Sequence, residues 1–155
     1  MDLREKALAG GVFTIEHRRN GKLLKRVKVH NLMTNAGFAG VASRINGAGS
    51  EAAFTYIALG TGTTAAAATD TALQTELAAS GLSRVNATAS RTTTTVTNDT
   101  ARLANTFSVS GTVAVTEIGI LNASSGGTLL CRRVFSAINV ISGDSLTVNY
   151  DVKAA

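Results

Sequence analysis

The chain has 155 residues, of which 45% are hydrophobic and 16% charged, and carries a formal charge of +5. That length suits one domain burying roughly 70% of the surface its unfolded chain exposes, and the composition excludes a disordered tract or a charged coiled coil. The single cysteine, Cys131, rules out an intrachain disulfide framework, and any zinc site would have to lean on two histidines and carboxylates.

The excess charge sits at one end. Residues 1–30 hold eight of the basic side chains against Asp2, Glu5 and Glu16, and the remainder of the chain is balanced. The opening Met1-Asp2-Leu3-Arg4-Glu5-Lys6 mixes charge signs and lacks the basic and long apolar regions of a signal peptide, so export by that route is not expected. The uncharged run over residues 52–69 is diluted by Thr55, Gly60, Thr61, Gly62, Thr63, Thr64 and Thr69, so no transmembrane span is expected.

Residues 1–11 read as an N-terminal arm ending at Gly10-Gly11, and residues 12–155 as a single β-rich domain. Residues 12–19 alternate through Phe13, Ile15 and His17 as a half-buried strand does. Asn20-Gly21 tolerates the positive φ of a type I′ turn, and residues 22–29 complete the hairpin. Asn31-Leu32-Met33-Thr34-Asn35 can turn and cap a short helix over residues 36–45, although Gly37 and Gly40 each weaken it by about 1 kcal/mol relative to Ala. Residues 53–59 are apolar on both faces, which predicts a strand buried on both sides and near the centre of its sheet.

Gly60-Thr61-Gly62-Thr63-Thr64 reads as a plain flexible loop: it lacks the lysine of a Walker pattern and does not complete G-x-G-x-x-G. Beyond it, Thr71 and Gln74 have capping-box spacing and Leu73 and Leu77 stand four apart, predicting a two-turn helix. From Leu82 onward strands are predicted over residues 84–97, 101–110, 113–121, 128–136 and 146–152, separated by Asn-Asp, Ser-Gly and Gly-Gly turn clusters. The Thr92-Thr93-Thr94-Thr95 run fits a pleated surface, as a solvated strand before a binding face. Regularly spaced short strands predict a sandwich or barrel. With no proline to guard strand edges, the chain must cover them with charge, loops or another copy of itself.

Catalytic signatures are missing. His17 and His30 lie in or at the end of the hairpin, outside any nucleophile or metal motif, and the acidic residues are spread without a distinctive cluster. No catalytic, metal or cofactor residue is therefore expected. Asn86, Asn98 and Asn122 open glycosylation-like triplets that carry no weight without a secretory signal, and Cys131 reads as a small core residue. Arg18, Arg19, Lys22, Lys25, Arg26 and Lys28 could neutralise phosphates, but aromatics for base stacking are scarce. Solvated or protein-facing charge is favoured over direct nucleic-acid contact.

The stretch Tyr56-Ile57-Ala58-Leu59-Gly60-Thr61-Gly62-Thr63-Thr64, continuing through Thr69-Asp70-Thr71-Ala72-Leu73-Gln74-Thr75-Glu76-Leu77 to Arg84, resembles a segment of tailed-bacteriophage virion proteins. Gly127-Thr128-Leu129-Leu130-Cys131-Arg132-Arg133-Val134-Phe135 and Ile141-Ser142-Gly143-Asp144-Ser145-Leu146-Thr147-Val148-Asn149-Tyr150 resemble the closing strands of the same proteins, and the opening strand, Asn-Gly, strand, Asn-Leu-Met-Thr-Asn-Ala-Gly pattern fits as well. In size the chain is similar to the head decoration, or cement, proteins of siphophages. That resemblance implies a β-sandwich or jelly-roll with one or two short helices, assembling as a homotrimer at three-fold positions on the exterior of the phage head. It would bind the major capsid protein, with no membrane and no cofactor, in particles assembled in the host cytoplasm. Asp2, Leu3, Arg4, Glu5 and Lys6 of the arm, with Arg18, Arg19, Lys22, Lys25, Arg26 and Lys28, are the expected contacts with the capsid or a neighbouring subunit. The alternative is a tail or host-surface binding protein on the same sandwich, and an enzyme is a third, weaker class.

Overall fold

Alternation builds the first hairpin in the computed structural model, which describes residues 10–154. β1 (Gly11–Arg19) buries Phe13, Ile15 and His17 on one side and turns through Asn20 and Gly21, at φ 50° and 76°, into β2 (Lys22–His30). Positive φ at both central residues is the type I′ geometry whose twist matches that of the flanking strands. Near the tip the register slips, so that Arg18 faces Leu23 while His17 faces Lys25, and Leu24 is left as the bulged residue.

There follow β3 (Leu32–Met33), α1 (Asn35–Asn46), β4 (Tyr56–Gly60), β5 (Val85–Asn86), β6 (Thr88–Thr92), β7 (Thr100–Ser108), β8 (Val113–Leu121), β9 (Leu129–Val140) and β10 (Ser145–Lys153). One sheet has the order β2-β1-β10-β7-β6 and the other β3-β9-β8-β4-β5, every pairing antiparallel. Between them lies one core: Phe13, Ile15, Leu103, Phe107, Leu146, Val148 and Tyr150 from the first sheet meet Ile57, Leu59, Ile118, Ile120 and Ile138 from the second. Each such side chain, fully buried, contributes about 1.5–3 kcal/mol relative to exposure. The fold is thus a mainly β sandwich with one short helix among the described residues.

Thr34 caps α1, its hydroxyl oxygen accepting from the Gly37 N–H at 2.8 Å, and Gly47 at φ 71° ends it. The two helix glycines are contact surfaces. A Cβ at Gly37 would run into the Leu130 carbonyl of β9 and one at Gly40 into the Phe54 ring, so the helix lies closer to the sheet than alanine permits.

Three sequence expectations change. The strand expected over residues 53–59 begins only at Tyr56, but it lies near the centre as expected, beside the central strand β8. Its burial on both faces is real, because residues 61–77 cover the outer face of its sheet, over a small cluster of Ala58, Leu73, Leu121 and Leu129. No helix forms at residues 71–77: Leu77 N–H donates to Leu59 O and Thr61 N–H to Thr75 O, each at 2.9 Å, and Gly60 and Glu76 form an antiparallel bridge, which lays the segment along β4. The single strand expected over residues 84–97 is two, β5 in the second sheet and β6 in the first, and the run stops at Thr92, because the Asp99 carboxylate accepts from the N–H groups of Thr94, Thr95 and Val96 at 2.8–2.9 Å and bends the rest into a loop.

Candidate functional site

The loop expected to be plain and flexible at Gly60-Thr61-Gly62-Thr63-Thr64 is instead tied to a buried ion pair. Glu117 projects from β8 onto the outer face of its sheet, wholly buried under residues 61–77. Its Oε1 accepts from Gly62 N–H at 3.0 Å and Thr75 N–H at 2.7 Å; its Oε2 accepts from Gln74 N–H at 3.0 Å and Arg132 Nε at 2.8 Å. The Arg132 guanidinium goes on to Asp70 at 2.9 Å and Thr64 O at 3.0 Å. Burial is the largest influence on Glu117 and opposes ionisation, but Thr75, Arg132, Gln74 and Gly62 together outweigh it and hold the carboxyl below its ordinary range. The irregular pairing between Val115 and Glu117 turns this carboxylate outward: Val115 faces the core, as do Ile118 and Ile120, so the alternation is reset between them.

A second carboxylate ties the β9–β10 turn to the first hairpin. Asp144, in the β9–β10 turn, accepts from His17 Nε2 at 2.7 Å, from Arg19 Nε and Nη2 at 2.8 and 2.9 Å, and from Ile141 N–H at 3.0 Å. A carboxylate can only accept, so Nε2 carries the proton. Arg19 chiefly, with burial opposing and Ile141 and His17 assisting, keeps Asp144 well below the ordinary carboxylate range. Among the described residues His17 has no hydrogen bond to a hydroxyl or thiol that it could activate. Cys131 is buried in the core, where desolvation pushes its thiol up to about 11 despite contact with the Tyr150 hydroxyl at 3.3 Å.

The hairpin cations do not gather on one face. Arg18 and Arg26 both bind Glu16, at 2.9 and 2.7 Å, Arg19 is held by Asp144, and Lys25 donates to Ala137 O of the other sheet at 3.1 Å. Lys22 and Lys28 have no ion-pair partner among the described residues. Asp2, Leu3, Arg4, Glu5 and Lys6, the expected arm contacts, lie outside the described residues.

The outer face of the first sheet is broad, mostly polar and free of Phe and Tyr side chains among the described residues. Register sets Lys28, Thr14, Asn149, Ala104 and Thr88 in one row, His30, Val12, Asp151, Arg102 and Ser90 in the next, and Lys153, Thr100 and Thr92 beyond. Arg102 and Asp151 form a two-bond pair at 2.7 Å each. From the sequence, only the hairpin cations, His30 and the Thr92-Thr93-Thr94-Thr95 run were singled out on this face, the last read as a solvated strand, although the Thr/Ser/Asn alternation along β7 and β10 carried the signal. The charged hubs were missed as well. Among the described residues there is no cluster of three or more His, Cys, Asp or Glu side chains placed to hold a metal, and no helix long and apolar enough to cross a membrane.

A family model described as podophage GP4 fiber I protein gp80 matches residues 28–151, most of the sandwich. The chain belongs to this family. Membership in the gp80 fiber I family makes it a bacteriophage structural protein, and the description of that family names a podophage fibre rather than a siphophage head decoration protein. No curated protein and no solved structure matches the chain. The gp80 match begins at Lys28, so β1 and most of β2 lie outside it.

Proposed function

We propose that this chain is a structural subunit of a phage fibre that acts by surface contact, without catalysis or a cofactor, and that several copies, three in the simplest arrangement, act together. The family match over residues 28–151 carries this reading. The described charge clusters support it. Glu117 and Asp144 each accept four hydrogen bonds from the chain's own donors, which rigidifies the sandwich and leaves these two groups no free valence for a substrate. A rigid module with a broad polar face gains avidity by repetition, because each copy engaged raises the effective concentration of the next.

The test is localisation on the particle. Antibody raised against the purified chain should label a few sites at the tail in electron micrographs. Labelling distributed over the head at three-fold positions, with cross-links to the major capsid protein, would replace the fibre reading with decoration of the shell. Light scattering on the purified chain should give three chain masses; one chain mass at micromolar concentration defeats the trimer.

A further inference from the structure

One end of the outer face of the first sheet is hollowed into an open groove of about 560 Å³, lined by Thr14, Lys28, Thr92, Arg102, Asp151 and Lys153 among others. Three of those six side chains are cations and one is a carboxylate. Asp151 is spent on Arg102, and neither Lys28 nor Lys153 has an ion-pair partner among the described residues. The nearby Asp99 carboxylate is turned onto the N–H groups of Thr94, Thr95 and Val96.

That same capping holds the groove wall in shape. Thr94 and Thr100 share a hydroxyl bond at 2.7 Å, Thr100 donates to Asp99 at 2.9 Å, and Thr93 accepts from Asn98 N–H at 3.1 Å. A pre-ordered wall lowers the entropy lost on binding.

Lys28 and Lys153 lie two strands and two rows apart, roughly 10 Å across the strands and roughly 14 Å along them by ordinary sheet spacings. One phosphate ion does not span that distance; an extended chain carrying repeated negative charge does. Between the lysines the floor offers hydroxyls and the Arg102–Asp151 pair, donors and acceptors suited to sugar hydroxyls. Stacking rings for nucleobases are missing from the lining.

We infer that this groove binds a segment of an acidic polysaccharide, with Lys28 and Lys153 engaging its anionic groups and the threonines and Arg102–Asp151 pair its hydroxyls. The inference does not depend on where in the particle the chain sits.

Calorimetric titration of the full chain at low salt tests it, with tetragalacturonate and a glycerol-phosphate oligomer as acidic probes and maltotetraose, inorganic phosphate and a thymidine oligonucleotide as comparators. At least one acidic oligomer should bind, more weakly as salt rises. Lys28→Gln with Lys153→Gln should weaken it at least tenfold, and Lys22→Gln, at the hairpin tip, should leave it unchanged. The relative affinity of the two oligomers then says whether carboxylates or phosphates are preferred. The inference is overturned if neither oligomer binds, if maltotetraose or inorganic phosphate binds as tightly, if the oligonucleotide binds more tightly, or if Lys22→Gln weakens binding as much as the double variant. Unchanged thermal melting of the variants separates loss of contact from loss of fold.

Discussion

Removing the Glu117 carboxylate would strand Arg132 as a buried cation with Asp70 as its remaining carboxylate partner, and would orphan the Gly62, Gln74 and Thr75 N–H groups. Breaking one side of a buried pair costs about 3–5 kcal/mol. Glu117→Ala should therefore lower the unfolding free energy by about that amount in urea titration, and a loss below about 1 kcal/mol would show the hub to be dispensable. Acid should act on the same groups. Glu117, Asp70, Asp144, Asp99 and Glu16 all have folded pKa values below their ordinary ones, so between the two values the unfolded chain binds more protons than the folded one. Their contribution is complete above the ordinary carboxylate range and is lost as pH falls through the folded values. The melting temperature should be level from about pH 8 to about pH 5 and drop below about pH 4. Cys131 works in the opposite direction: its raised pKa favours the folded state until the unfolded thiol ionises, so stability should decline above about pH 9. In the folded protein Cys131 should resist thiol reagents and react only on unfolding.

At the scale of elements, α1 sets two opposing effects against each other. Gly37→Ala gains about 1 kcal/mol of helix propensity but forces a methyl against the Leu130 carbonyl, and overpacking of that kind costs about 1–3 kcal/mol. The backbone cannot move aside as a flexible side chain would, so the substitution should destabilise the protein, whereas the exposed Ala42→Gly should cost only the propensity. Chemical denaturation of both variants checks the ranking. The glycines were legible in the sequence as weak helix formers; the close approaches of β9 to Gly37 and of the Phe54 ring to Gly40 were not. The Thr71–Gln74 capping signal misleads for a related reason. The Gln74 and Thr75 N–H groups go to Glu117, over 40 positions along the chain, and that buried carboxylate outcompetes a two-turn helix. The reset of alternation from Val113 and Val115 to Ile118 and Ile120 was present in the sequence as the mark of the irregularity that aims Glu117 outward.

For the whole molecule, the two edges of the first sheet differ. β2 carries Lys22, Lys25 and Lys28 and a bulge, whereas β6 has Arg91 as its one charge. Lysines and bulges deter strand addition, so β6 is the edge open to pairing with another chain. Arg91→Pro should leave the monomer folded, since the even-numbered residues of β6 face the β7 ladder and the Arg91 N–H points to the open edge, and it should reduce self-association in light scattering if copies pair through β6. Period-two alternation, Asn20-Gly21 and the turn clusters determined by themselves that the chain is mainly β, a sandwich or barrel, and opened by a hairpin, because those signals act between neighbouring residues. Only the tertiary structure decided that residues 61–77 lie extended over Glu117 and Arg132, that His17 and Arg19 meet Asp144, and that Lys28 and Lys153 border one groove. Those pairings join residues far apart in the chain, and their energies exist only once the sheets have closed and water has been excluded.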